Sequence, residues 1–164
     1  MITGDTWLEA TTKSLQEMAD IYFDLGSMVP ETFNDEEDLK SGAMIGLVSP
    51  GNSVQLMLVA SRRGSEVLAK ALLGFEPDEA IDAGDLADAM AEIVNIVAGM
   101  VKTVVNEQDG NLNLTLPTFM TGSCQPLGGQ LVTEGQLTIG SVEAKVIVLH
   151  SNPAADSNAR VSAA

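Results

Sequence analysis

In a chain of 164 residues whose single cysteine is Cys124 and single histidine is His150, few side chains could do chemistry. One group of them stands out by spacing: Asp88, Glu92, Asn95 and Gly99. On a helix, Glu92 and Gly99 sit about 40° and about 20° to one side of Asp88, and Asn95 about 20° to the other, so the four form one straight stripe. Leu86, Met90, Ile93, Val97 and Val104 fall on the opposite side, the one expected to pack on a sheet. Between Ile93 and Val101 the only polar side chain is Asn95. Local stability does not select these residues, because Asn is a poor helix former and an interior Gly costs roughly 1 kcal/mol relative to Ala. A glycine one turn beyond the amide removes bulk and lets another molecule approach. The stripe therefore offers a carboxylate for a cation, and an amide whose carbonyl can hold a water while its NH2 donates. A merely solvated acidic face, with Gly99 admitting a close internal contact, would carry the same residues.

Other chemistry is poorly supported. Cys124 and His150 could pair as nucleophile and base, but such a pair needs a third orienting group. They are read as inert. The glycine-rich segment 122–129 lacks the Gly-Lys-Ser/Thr of a phosphate-binding loop and is expected to be a flexible loop. The acidic run Asp35, Glu36, Glu37, Asp38 lacks the spaced ligands and glycine of a calcium loop. One cysteine closes no internal disulfide, and one histidine leaves too few soft ligands for zinc.

The elements that must position the stripe emerge from pattern and punctuation. Thr6 and Glu9 have capping-box spacing, and Trp7, Leu8, Leu15, Met18, Tyr22 and Leu25 predict a helix over about 6–25, stopped by Gly26. A solvated loop is expected over 27–42. Residues 44–49 and 53–61 read as a hairpin around Pro50, Gly51 and Asn52, with Val54, Leu56, Leu58 and Ala60 on one face. Ser61 caps a short helix that stops at Gly74, and a long helix comes next, acidic at its start and running to about Val105. Leu112, Leu114 and Leu116 alternate with polar residues as in a half-buried strand, with Pro117 at its end or at a bulge. Residues 136–139 and 142–150 flank Gly140-Ser141 as a second hairpin. The fold class expected is α+β, an antiparallel-rich sheet packed against long helices. It forms one domain over 1–150, with a disordered tail at 151–164. A faint helix-then-strands repetition runs through the order.

With 45% hydrophobic and only 4% aromatic residues, aliphatic side chains and methionine must build the core. The net charge of -15 opposes nucleic acid and anionic membranes, and leaves no basic patch in view. Without a signal-like start or a long apolar run, a cytoplasmic protein is expected.

The segment Asp88-Ala-Met-Ala-Glu92-Ile-Val-Asn95-Ile-Val-Ala-Gly99 resembles the Glu-x-x-Asn helix of the CheX, CheC and FliY chemotaxis phosphatases. Leu116-Pro117-Thr118-Phe119-Met120-Thr121-Gly122 is similar to the Leu-Pro segment that comes after it in CheX proteins. The resemblance implies hydrolysis of the aspartyl phosphate of a CheY-like response regulator. Asn95 would position the attacking water, Glu92 would pair with the regulator's lysine, and Asp88 would have a peripheral docking role. It implies no cofactor of the chain's own, magnesium on the partner, and a homodimer. CheC-like members carry the motif on two helices; here the first helix has Glu17-Met18-Ala19-Asp20, which leaves CheX as the nearer likeness. The other reading is a non-catalytic binding or scaffold module of the same fold, as in the flagellar switch, where the Glu-x-x-Asn pair is missing.

Overall fold

The computed structural model describes residues 2–23, 40–108 and 110–151. The expected helix stop at Gly26, most of the expected loop, and the tail beyond Ser151 lie outside them. In chain order the elements are α1 (Gly4–Tyr22), β1 (Ser41–Ser49), β2 (Asn52–Ala60), α2 (Arg62–Leu73), α3 (Ala83–Val105), β3 (Asn113–Leu114), β4 (Thr118–Thr121), β5 (Gln130–Ile139) and β6 (Val142–Ser151). The strands form one sheet in the order β3-β1-β2-β6-β5, with β4 also on β1, and every pairing is antiparallel. This is the α+β architecture expected.

Alternation along the central strands decides where the core sits. Ala43, Ile45 and Leu47, Val54, Leu56, Leu58 and Ala60, and Val142, Ala144, Val146 and Val148 are all buried on the face that the helices cover. The hairpins β1-β2 and β5-β6 meet at the middle of the sheet, where Leu58 faces Val146. Each long helix crosses to the hairpin that does not follow it: α1 packs on β5 and β6, and α3 on β1. The repetition in element order is thus two interlocked halves.

Local chemistry accounts for most boundaries. Ser61 caps α2 by accepting from the Gly64 amide, and Gly74 closes it at a φ of 72°. Asp82 caps α3, its carboxylate accepting from Asp85 N at 2.8 Å. The buried side of α3 consists of two adjoining stripes, Leu86, Met90, Ile93, Val97 and Val94, Ala98, Val101, Val105, because the helix touches α1, α2 and the sheet at once.

Several expectations need correction. Helix α1 starts two residues before Thr6: Thr3 is the cap, its hydroxyl accepting from Thr6 N at 3.2 Å, and the Glu9 position has no part in it. Strand β1 begins at Ser41 rather than Met44, since Gly42 is not a loop residue; a Cβ there would collide with the Leu58 carbonyl of the paired strand. The run Leu112 to Leu116 is not one strand. Leu112 is buried, Leu114 half-buried and Leu116 88% exposed. Between the pairs Leu47↔Leu114 and Met44↔Thr118 the segment holds three residues against two on β1, which is a bulge at Pro117, as that proline's missing N–H requires. Strand β5 starts at Gln130, six residues before Gln136, because it is an edge strand whose mixed polar sequence hides the pairing. Val104 is 56% exposed although it falls on the angular side of Leu86, since the last turns of α3 bury only the Val101 and Val105 side.

Candidate functional site

Helix α3 sets the stripe by burying the rest of itself. Met90 and Ile93 are fully buried and Val97 nearly so, which fixes the helix's rotation and turns Asp88 and Glu92 to solvent. Asn95 and Gly99 are half-buried on the same side. Residues three apart on a helix have Cβ atoms about 5–6 Å apart, so Glu92 and Asn95 present their polar ends together. Among the described residues no hydrogen bond engages either side chain. A Cβ added to Gly99 would meet nothing within 4 Å. The glycine therefore serves no internal contact: it leaves open space on the outside of the helix, immediately after the amide.

Glu92 is exposed and Asn95 half-buried on the outer side of α3. Clefts elsewhere on the molecule are walled by other residues: one by Lys40, Arg62 and Phe119, one by Trp7 and His150, one by Met44 and Leu116, and none of these by Glu92 or Asn95. A lone amide on the outside of a helix does not by itself exclude water from a small substrate or surround a transition state. Inserted into the concave site of another protein, it can hold a water at a fixed place.

The remaining candidates stay apart from the stripe. Cys124 is exposed and free. His150 lies on β6, its Nε2 3.3 Å from Thr133 Oγ1 on the edge strand β5. On α1, Glu17 and Asp20 are exposed, also three apart, so the helix offers two carboxylates where an amide would be needed. Among the described residues no group of three His, Cys, Asp or Glu is placed to hold a metal ion, and no helix is long and apolar enough to cross a membrane. One expectation is corrected: the chain does assemble a basic patch. Lys40, Arg62 and Arg63 wall a single cleft, because the register that sets Ser41 opposite Ala60 brings Lys40 to the start of α2. In the sequence the signal was the pair Arg62-Arg63 directly after the cap Ser61, and nothing local tied Lys40 to it.

A family profile described as Chemotaxis phosphatase CheX matches residues 41–129, more than half of the chain and including α3 and the Leu116-Pro117 segment. No curated protein matches in sequence. Solved structures are similar in fold at low identity. A chemotaxis protein CheX from Desulfovibrio desulfuricans superposes with a TM-score of 0.67 at 15% identity, covering 88% of this chain and 99% of that one. The CheX of the CheX-CheY-BeF3-Mg+2 complex from Borrelia burgdorferi gives 0.66 at 14%, covering 92% and 99%. FliY from Thermotoga maritima gives 0.58 at 16%, covering 90% and 88%.

Proposed function

The chain belongs to the CheX family of chemotaxis proteins, and from that premise we propose that it is a phosphatase acting on the aspartyl phosphate of a CheY-like response regulator. The observation that carries this reading is the open space at Gly99 beside Asn95, on a helix whose other sides are buried. A structurally similar CheX has been crystallised with CheY, BeF3 and magnesium, which supports a regulator of that kind as the partner.

In this reading α3 docks on the regulator and Glu92 pairs with its lysine, which fixes the helix's angle. Asn95 then enters the regulator's active site. Its carbonyl accepts a hydrogen bond from a water and holds it in line with the phosphorus, while its NH2 tolerates the neighbouring phosphoryl oxygens because it carries no charge. The water's oxygen bonds to phosphorus, the bond to the aspartate oxygen breaks, and inorganic phosphate leaves. Phosphoryl transfer depends mainly on positioning and charge stabilisation, and magnesium on the regulator supplies the second. Neither a nucleophile nor a cofactor is required of this chain. Such a reaction belongs in the cytoplasm, with the regulator.

The test is phosphate release from phosphorylated CheY-like regulators with magnesium present, expected to run well above their unassisted rate. Tight binding without acceleration would replace this reading with that of a scaffold module. We further propose a homodimer, because β5 is paired on one side only among the described residues and a strand edge of ten residues needs cover. Light scattering should give about twice the 17.2 kDa of one chain; a mass near 17.2 kDa would remove the dimer.

A further inference from the structure

The cleft at the N-terminal ends of α2 and α3 is walled by none of the stripe residues Asp88, Glu92, Asn95 and Gly99. It encloses about 750 Å³ between Lys40, Ser41, Arg62, Arg63, Leu86 and Phe119. In a chain of net charge -15 with eight Lys and Arg, three of them converge here. Arg62 and Arg63 occupy the first two positions of α2, where the helix macrodipole disfavours cations, and that first turn has no acidic residue. Glu66 reaches Arg62 at 3.3 Å, but the Arg62 side chain is 80% exposed and such a pair is weak. The first amides of a helix point outward and suit an anion. At the start of α3, by contrast, Asp82 and Asp85 are already present, the former capping the latter's amide, so an anion belongs on the α2 side.

A second observation is independent of these charges. Side chains at 43, 45 and 47 of β1 are buried under the helices, so Ser41 faces the same way, towards the cleft. It is 4% exposed, and among the described residues its hydroxyl has no hydrogen-bond partner. Buried hydroxyls are seldom left so, because the lost hydration is uncompensated. We propose that this cleft binds a small organic phosphate, its phosphoryl group held by Lys40, Arg62, Arg63 and the Ser41 hydroxyl, its apolar body against Phe119 and Leu86. A tetrahedral dianion accepts from several directions at once, as these donors require, whereas a planar carboxylate is satisfied by one guanidinium. Nucleic acid is repelled by the rest of the surface.

The full chain would be titrated with phenyl phosphate at constant ionic strength, monitored by calorimetry and by amide chemical shifts. Saturable binding is expected, with shifts centred on Ser41, Arg62, Arg63 and Phe119. The double variant Arg62→Ala, Arg63→Ala should weaken it by about tenfold or more. Ser41→Ala should weaken it about threefold while leaving the melting temperature of the free protein unchanged or higher, since it deletes an unpaired hydroxyl. Inorganic phosphate and benzoate should both bind less tightly. The proposal is overturned if sodium chloride gives the same response, if the double variant binds as wild type, if benzoate or inorganic phosphate equals phenyl phosphate, or if the shifts centre on Glu92 and Asn95.

Discussion

Helices α1 and α3 pack against each other on the same face of the sheet, and each turns a polar pair three residues apart outward, Glu17 with Asp20 and Glu92 with Asn95. Both bury an apolar side: Trp7, Leu15 and Met18 on α1, Met90, Ile93 and Val101 on α3. Two things separate them. The second member of the pair is a carboxylate on α1 and an amide on α3, and one turn beyond the amide, still within the helix, stands Gly99, whereas α1 ends at Tyr22, two residues after Asp20. Two carboxylates repel a phosphoryl group more than a carboxylate with an amide and an open space. Packing makes both helices, and the amide and the glycine are what set α3 apart. We expect α1 to matter for stability and α3 for reaction.

The largest effect that could break this division is on α1. Trp7 is 1% exposed, and Trp7→Ala should destabilise the fold by about 3–5 kcal/mol. A urea midpoint close to wild type would mean that α1 is not part of the common core. Next comes Asn95→Ala, which should lower phosphate release from a regulator that wild type dephosphorylates by about a hundredfold, the scale of a lost positioning group. Asn95→Asp should do the same, by repulsion of the phosphoryl oxygens. Near-normal release by folded Asn95→Ala would end the mechanism. On the same helix, Glu92→Lys should reduce affinity for the regulator about tenfold, more than Glu92→Ala, as like charges meet. Glu17→Lys should leave affinity unchanged; equal losses would mean that only the overall charge matters. Smaller still, Gly99→Ala should raise stability by up to about 1 kcal/mol, or roughly 2–4 °C, because the added Cβ meets open space. Its cost should appear in docking, read as a weaker dissociation constant. The smallest expected change is from Asp20→Asn in the Asn95→Ala background: recreating Glu-x-x-Asn on α1 without the glycine should not restore phosphate release. Recovery would show that the pair alone suffices.

Whatever local chemistry dictates is legible in the sequence. The caps of α2, the end of α3, the turn at Gly140 and the separation of Glu92 and Asn95 from Met90 and Ile93 each depend on residues within one or two turns. The sheet's other edge shows what is not legible. Gly42 reads as the end of a loop because the carbonyl that demands it belongs to Leu58. Leu116 reads as a core residue because the bulge at Pro117 that throws it outward is defined only by pairing with β1. The cleft of Lys40, Arg62 and Arg63 is hidden for the same reason, as it depends on a hairpin register. Within α3 the placement of the candidate stripe is legible because its residues lie on one helix, so helical geometry alone sets which way they face.

The crossing of each long helix to the far hairpin sets a timetable for folding. Helix α1 is the first element made, yet its partners β5 and β6 are the last, with roughly a hundred residues of chain between them. At ordinary rates of synthesis those strands emerge on the order of ten seconds after α1. Until then Trp7, Leu15 and Met18 have no sheet to cover them. The chain must wait with α3 as the partner already made and the sheet side of the apolar stripe uncovered, and then close a long loop, a topology associated with slow folding. Truncation before β5 should accordingly yield an aggregating fragment rather than a smaller folded unit.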